Sequence, residues 1–116
     1  MAKPDSFDFY CEEVLTGNTL VKKVYESGVV LAFHHTKPMY KTHIVIIPKE
    51  HIHDLTHLKE KHGLLIQEII KVARNLARKI DLEKNGVRFV TNLGKFQDSP
   101  HLHFHLITGD PINRKK

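Results

Sequence analysis

Hydrophobic and polar positions alternate with two different periods along this chain, and the period indicates which segments form strands and which form a helix. Thr19 to Glu26 and Val29 to Phe33 are rich in valine and leucine, and Ser27-Gly28 between them is typical of a hairpin turn. His43 to Ile47 predicts a third strand that ends at Pro48, because proline has no N–H to donate to a sheet.

A longer period marks the segment from Thr56 to Ile80, where basic residues fall between apolar ones. The apolar positions recur every three or four residues, at Leu65, Ile69, Val72, Leu76 and Ile80. This spacing predicts one long amphipathic helix. Asp54 or Thr56 is expected to cap its start, and Asn85-Gly86 supplies a turn after it.

The remaining segments complete a mixed fold. Phe7 to Leu15 is ambiguous and is interpreted as a short helix, while Val87 to Asn92 predicts a fourth strand. Leu93 to Ser99 is expected to be a loop, and Pro100 then opens a fifth strand that runs through Ile107. The sequence therefore predicts an α+β fold, with a mainly antiparallel five-stranded sheet, one long helix and a short N-terminal helix.

Length and composition favour one soluble domain. The chain has 116 residues, of which 41% are hydrophobic and 27% charged, so we expect a single domain over residues 1–116, with a core over about 7–109 and a short basic tail. Cys11 is the only cysteine, which excludes an internal disulfide and favours a cytoplasmic location. No apolar run has the length of a signal peptide or a membrane span.

The net charge is a weak guide to partners. It is +5 with histidine counted as neutral, which favours polyanions such as phosphates. Much of the excess lies in the tail of Arg114, Lys115 and Lys116 and on the exposed face of the helix. Since no aromatic residues are interleaved with a basic patch, nucleic-acid binding is not predicted.

Three alternating histidines near the C-terminus are the most informative pattern. His101, His103 and His105 would lie on one face of a strand, about 7 Å apart in succession, because strand side chains alternate. The residues that alternate with them, expected on the opposite face against the helix, are Leu102, Phe104 and Leu106. A purely structural role is one interpretation. A metal site is another, because His-x-His on a strand can place two imidazoles on one zinc ion.

These residues resemble the histidine triad family. The stretch His101 to Ile107 is similar to the triad motif, in which three histidines alternate with apolar residues. The segment Thr42 to Ile52, reading THIVIIPKEHI, resembles the family's other recurrent segment. The resemblance covers roughly Phe9 to Thr108, and three further matches in order and spacing are Val24-Tyr25-Glu26, Leu31-Ala32-Phe33 and Pro38.

The resemblance implies a covalent mechanism. Family members hydrolyse or transfer nucleotides, and their middle histidine forms a nucleotidyl intermediate, which makes His103 the expected nucleophile. Its ring should therefore be free to bond to phosphorus. His105 would contact the phosphoryl oxygens, and His101 together with His51 would orient the nucleophile. No metal or other cofactor is implied, and activity is expected to fall below about pH 6.5, where an ordinary histidine becomes protonated.

The resemblance also implies substrate contacts. Gln97 fits a position that contacts the bridging or leaving-group atom, and Asn92 fits a phosphate-side or ribose-side contact. Phe33 resembles a wall of the base pocket, although an ordinary core aromatic is an equal interpretation.

Four further candidates lie where the chain departs from the family. His34 and His35 follow Phe33, and His35 replaces an acidic residue that holds the ribose hydroxyls in several members. Asp98 stands where some members have serine or threonine, and Ser99 follows it. A carboxylate at Asp98 would repel a phosphate unless it were protonated or turned away.

The leading hypothesis is a nucleoside phosphoramidate or nucleotide hydrolase. The alternatives are a dinucleoside polyphosphate hydrolase, a non-catalytic nucleotide- or partner-binding module, and a metallohydrolase that uses the triad and His51 as ligands. The resemblance implies a homodimer, for which Leu64, Ile66 and Ile70 are candidate contact residues on the helix.

Overall fold

In a computed structural model, which describes residues 7–80 and 82–112, the chain forms an antiparallel sheet with one long helix. The helix, α1, spans Gly63–Ile80. The strands are β1 (Lys23–Glu26), β2 (Val30–His34), β3 (Tyr40–Pro48), β4 (Arg88–Thr91) and β5 (Phe104–Pro111). Their order across the sheet is β1-β2-β3-β5-β4, and each neighbouring pair is antiparallel. The α+β prediction is confirmed.

The N-terminal helix and the hairpin form where they were expected, with shorter bounds. The ambiguous first segment contains a π-helical turn over Tyr10–Val14, and β1 begins at Lys23 rather than at Thr19. Ser27 closes the turn to β2, because its hydroxyl accepts from the backbone N–H of Val29 and Val30 at 3.2 and 3.1 Å. The tail of Arg114 to Lys116 lies outside the described residues.

The long helix begins later than predicted. Two 3-10 turns, Leu55–His57 and Glu60–His62, precede α1. Asp54 caps the first turn, since its side chain accepts from the backbone N–H of Thr56 at 2.9 Å. The periodic apolar positions, which begin at Leu65, therefore all lie in α1, and the helix runs to Ile80 as expected.

The fifth strand also begins later than predicted, at Phe104 instead of Pro100. Its pairing with β3 stops at Phe104, opposite Ile46. Toward the end of β3, Pro48 has no N–H for a ladder bond, and the N–H of Leu102 donates to the carbonyl of Ile52 at 2.6 Å instead. His101 and His103 therefore lie in an irregular segment, and only His105 belongs to the strand.

The two faces of the sheet are covered by different parts of the chain. One face packs on α1 through a large apolar cluster that includes Leu102, Phe104 and Leu106, as predicted. The other face carries a smaller cluster in which Phe33 and Val45 pack against Tyr10 from the N-terminal turn. The histidine segment therefore has its apolar residues on the helix side.

The outer surface of α1 leaves apolar residues exposed. Leu64 and Ile70 are 80% and 50% exposed, whereas Ile66 packs partly against the core. Within residues 7–80 and 82–112, no helix combines the length and apolar character that crossing a bilayer requires.

Candidate active site

The three triad histidines are all buried. His101, His103 and His105 are 0%, 2% and 8% exposed. The ring centroids of His103 and His105 lie 5.0 Å apart, closer than the strand estimate, because His103 precedes the regular strand. Imidazoles at this depth need hydrogen-bond partners, so the chemistry of the site depends on which nitrogen each partner occupies.

The ring of His103 is held by its own segment. Its Nδ1 lies 2.7 Å from the backbone carbonyl of His101, which can only accept, so Nδ1 carries a proton. The hydroxyl of Thr91, at the end of β4, donates to the carbonyl of His103 at 2.7 Å and fixes the backbone. In the neutral ring, Nε2 then carries the lone pair and is the only nitrogen that could attack phosphorus.

That nitrogen is covered in this conformation, so the expectation of an open central ring is wrong here. Nε2 of His103 is buried and lacks an aligned hydrogen bond, while Oδ1 of Asp98 lies 3.2 Å away. The side chain of Asp98 is 72% exposed. Because the cover includes an exposed loop side chain, rotation of Asp98 could open that side of the ring without unpacking the core.

The tautomer of His105 is determined by His43, a residue that is not part of the triad. The backbone N–H of Met39 donates to Nδ1 of His43 at 3.0 Å, so His43 must carry its proton on Nε2. That Nε2–H donates to Nδ1 of His105 at 2.9 Å. His105 therefore carries its own proton on Nε2, where it is a hydrogen-bond donor.

Burial keeps this pair of rings neutral. Desolvation and then the neighbouring His35 and His105 rings lower the pKa of His43 to about 4. Desolvation, followed by the charges that His103 and His35 would carry, lowers the pKa of His105 to about 4 as well. At neutral pH the His43–His105 pair is therefore a fixed chain of neutral donors.

His101 and His51 meet at a carboxylate rather than at the nucleophile. Oδ2 of Asp8 lies 2.8 Å from Nδ1 of His101 and 2.6 Å from Nδ1 of His51. Nε2 of His101 lies 2.8 Å from the carbonyl of Pro48. His51 thus touches His101 through Asp8, whereas His101 holds His103 through its backbone carbonyl.

Among residues 7–80 and 82–112, two groups of side chains bring possible metal-binding atoms within 4.8 Å of one another. One group is Asp8, Cys11, His51 and His101, and the other is His35, His43 and His105. The second group suits a metal poorly, because backbone N–H groups already occupy Nδ1 of both His35 and His43 and require a proton on each Nε2. In the first group, burial and the hydrogen bond to Asp8 raise the pKa of the Cys11 thiol to about 12.

A cavity of about 270 Å³ opens beside the histidines. Four predicted substrate residues line it: Phe33, His35, Asp98 and Ser99. The hydroxyl oxygen of Ser99 is buried and has no hydrogen-bond partner within the described part of the chain, so it could donate to a ligand oxygen. Tyr10 forms part of the same wall, and its ring lies 4.9 Å from that of His103.

The other predicted substrate residues have different surroundings. The side-chain amide of Gln97 donates to the carbonyls of His53 and Ser99 at 2.7 and 2.8 Å, so it braces the loop. His34 is exposed and lines a neighbouring surface pocket with Leu20. Asn92 is half-buried directly after β4.

Three residues of the site were missed by sequence reasoning. His43 lies in the same recurrent segment as His51, and its place within a strand was the signal that it could reach the triad. Asp8 and Tyr10 lie in the N-terminal segment, where nothing in the local pattern indicates contact with residues more than 90 positions later.

Comparisons with known proteins agree with this geometry. Residues 17–112 match the HIT domain family. The chain is 31% identical over 91 residues to a purine nucleoside phosphoramidase of Escherichia coli, covering 77% of this chain and 76% of that protein. It is 27% identical over 105 residues to an uncharacterized HIT-like protein of Buchnera aphidicola, covering 89% of this chain and 94% of the relative.

Solved structures have the same architecture. A HIT family hydrolase from Clostridium thermocellum superposes with a TM-score of 0.80 at 29% identity, covering 94% of each chain. A histidine triad protein from Clostridium difficile superposes with a TM-score of 0.78 at 28% identity, covering 100% of both chains. The similarity therefore extends over the sheet, the helix and the histidine segment together.

Proposed function

Because this chain belongs to the HIT domain family, we propose that it hydrolyses or transfers a nucleotide by attack of His103 on the α-phosphorus of a nucleoside phosphoramidate or related donor. The observation that carries the proposal is the bond from Nδ1 of His103 to the carbonyl of His101, which leaves Nε2 as the attacking atom. The similarity to a purine nucleoside phosphoramidase supports this substrate class.

The reaction requires Asp98 to move first. Once it has rotated away, Nε2 of neutral His103 bonds to phosphorus while the bond from phosphorus to the leaving nitrogen breaks. The electron pair stays on that nitrogen, which takes a proton from solvent and departs as an amine. Water then attacks the phosphorus and loses a proton to solvent, the bond from phosphorus to Nε2 breaks with its electron pair returning to His103, and the nucleoside monophosphate is released.

In the proposed mechanism, two donors stabilise the phosphoryl oxygens. The neutral His105 ring presents Nε2–H because His43 occupies its Nδ1. The buried hydroxyl of Ser99 has no protein partner among the described residues and lines the cavity. Preorganised donors of this kind stabilise developing negative charge more than water does, because they need no reorientation during the reaction.

The cavity has apolar and polar walls that fit a nucleoside. Phe33 is 1% exposed and packs with Tyr10. A base bound in the cavity would therefore contact the edges of these two aromatic rings. His35 carries its proton on Nε2, because its Nδ1 accepts from the N–H of Lys37 at 2.9 Å. We assign it as a donor to a ribose hydroxyl, in place of an acidic acceptor.

A trapping experiment tests this function. Purified protein in chelator is mixed with an adenosine phosphoramidate labelled in the nucleotide and quenched within the first turnover. We expect release of adenosine monophosphate and a labelled adduct that peptide mass spectrometry maps to His103. Turnover without an adduct, with normal activity of His103→Asn, would contradict the proposal. Activity lost in chelator and restored by zinc would point instead to metal-dependent hydrolysis.

The covered Nε2 favours one alternative, a nucleotide-binding module without catalysis. It predicts saturable nucleotide binding, measured by calorimetry, with no product and no adduct. A dinucleoside polyphosphate hydrolase is distinguished by its donor, since it would release adenosine monophosphate from a polyphosphate faster than from the phosphoramidate.

The assembly is a separate proposal. Leu64 and Ile70 leave an exposed apolar surface on α1, which we propose is the contact of a homodimer. Sedimentation equilibrium should give twice the mass of the chain, and Ile70→Glu should shift the protein toward monomer.

A further inference from the structure

One side chain combines two unusual properties at this site. Asp98 places a carboxylate oxygen 3.2 Å from Nε2 of His103, and it also lines the cavity in which a nucleotide would bind. The contact with His103 lowers the pKa of Asp98 to about 2, so the side chain is an anion at neutral pH. A fixed negative charge beside an atom that must attack a phosphate needs an explanation.

The loop offers few other side chains for the leaving group. Both amide protons of Gln97 are committed to the carbonyls of His53 and Ser99. Asp98 follows Gln97 directly, and its exposed side chain can rotate while those two hydrogen bonds hold the loop. Asp98 can therefore exchange its contact with Nε2 for a contact with a substrate atom attached to the phosphorus.

The chemistry of a carboxylate restricts what that atom can be. An ionised carboxylate only accepts hydrogen bonds. The bridging nitrogen of a phosphoramidate carries a hydrogen that it can donate, whereas the bridging oxygen of a dinucleoside polyphosphate carries none. The polyphosphate also adds negative charges next to the carboxylate. Like charges that lie close together repel each other strongly when they are partly buried.

We propose that Asp98 selects the leaving group of this enzyme, accepting a hydrogen bond from the N–H of an amine leaving group and rejecting polyphosphate leaving groups. This inference rests on the proposed function. The substrate phosphorus takes the place of the carboxylate over Nε2, at about 3 to 3.5 Å. The carboxylate swings toward the bridging nitrogen, whose bond to phosphorus breaks when the bond from His103 forms. The substrate class is thus a nucleoside phosphoramidate that retains a hydrogen on nitrogen.

The test uses three donors that share adenosine monophosphate. They are an anilide linked through P–NH, the same anilide methylated on nitrogen, and diadenosine tetraphosphate. For the wild type we expect kcat/KM to fall by about tenfold to hundredfold on methylation, the value of one hydrogen bond to a charged group. The tetraphosphate should be the poorest donor.

Two substitutions separate charge from shape. Asp98→Asn removes the charge but keeps the size, and its exposed position should leave the thermal midpoint unchanged. We expect it to reduce the preference for the N–H anilide over diadenosine tetraphosphate by at least about tenfold. Asp98→Glu keeps the charge and should retain the preference. Asp110→Asn, at an exposed carboxylate near the end of β5, is the matched control and should change nothing.

The outcomes are distinguishable from those of the function itself. If Asp98→Asn changes kcat/KM for all three donors by the same factor, Asp98 only covers the nucleophile and the inference is wrong. If the wild type forms no adduct on His103 with any donor, the proposed function fails before selectivity is in question. A shifted preference together with a normal adduct supports both.

Discussion

Within one short segment, the two faces of the sheet bury different kinds of side chain, leucines on one face and histidines on the other. On the helix side, Leu102 and Leu106 are each 1% exposed and lie in an apolar cluster with α1. On the other side, His101 and His103 are 0% and 2% exposed, but carbonyls and carboxylates surround them. The same stretch of chain thus contributes hydrophobic stabilisation on one side and directional hydrogen bonds of the histidine rings on the other.

Because of this difference, the helix side mainly stabilises the fold, whereas the histidine side holds the groups that we propose react. Apolar burial on the helix side is nondirectional and scales with the area removed from water. On the histidine side, a backbone N–H or carbonyl determines which ring nitrogen carries the proton in His43 and His103, and His43 in turn determines it in His105. Substitutions on the two faces should therefore have different signatures.

The largest effect is expected at His103. His103→Asn should lower turnover of an adenosine phosphoramidate at least about a thousandfold, because it removes the nitrogen that we propose attacks phosphorus. The free energy of unfolding should change by no more than about 1 kcal/mol, since an amide can keep one hydrogen bond. Initial rates and urea unfolding measure the two quantities. Loss of both would show that the histidine side also holds the fold together.

The helix side should give the reverse result. Leu106→Ala should reduce the free energy of unfolding by about 2 to 5 kcal/mol, through lost apolar burial and the cavity that remains. Turnover per folded molecule, measured well below the thermal midpoint, should stay within a few-fold of wild type. A loss of activity as large as that of His103→Asn would mean that the two faces are not separable.

Acid should weaken the histidine side. His43 and His105 have a pKa of about 4 in the folded protein, compared with 6.5 for an ordinary histidine. Between these values the unfolded chain binds more protons, so this stabilisation is complete above about pH 6.5 and is lost as the pH falls toward about 4. The loss is at most on the order of 3 kcal/mol for each ring.

Urea unfolding over this pH range checks the prediction. His43→Gln should flatten the dependence, because one of the two depressed groups is gone. His53→Gln, at a solvent-exposed histidine outside the cluster, is the control and should leave the dependence unchanged. An equally steep dependence in His43→Gln would assign the effect to other groups.

The smallest expected effect concerns the orientation of His105. His43→Gln removes the ring that holds the Nε2–H tautomer of His105, and kcat should fall by about tenfold to hundredfold. KM should change little, because His43 does not line the cavity in which we propose that the nucleotide binds. His43→Asn should behave similarly unless its shorter amide reaches His105. A change confined to KM would show that His43 acts on binding instead.

Much of the architecture followed from local patterns. Two segments rich in valine and leucine, separated by Ser27-Gly28, predicted the β1–β2 hairpin, and the three- to four-residue period predicted α1 up to its end at Ile80. The start of β5 was wrong because it depends on its partner, where Pro48 ends the ladder. The histidine pattern indicated a segment whose three histidines are all buried, and four of the predicted substrate residues, Phe33, His35, Asp98 and Ser99, line one cavity.

The sequence by itself determined the α+β fold and the candidate nucleophile segment, because side-chain periodicity is a property of neighbouring residues. Only the tertiary structure decided which ring nitrogen is protonated in His43, His103 and His105, and what covers Nε2 of His103. His43 meets His105 across 62 positions, and Asp8 meets His101 across 93. Such contacts depend on chain packing, and the energy of a buried imidazole depends on the partner that packing brings to each nitrogen.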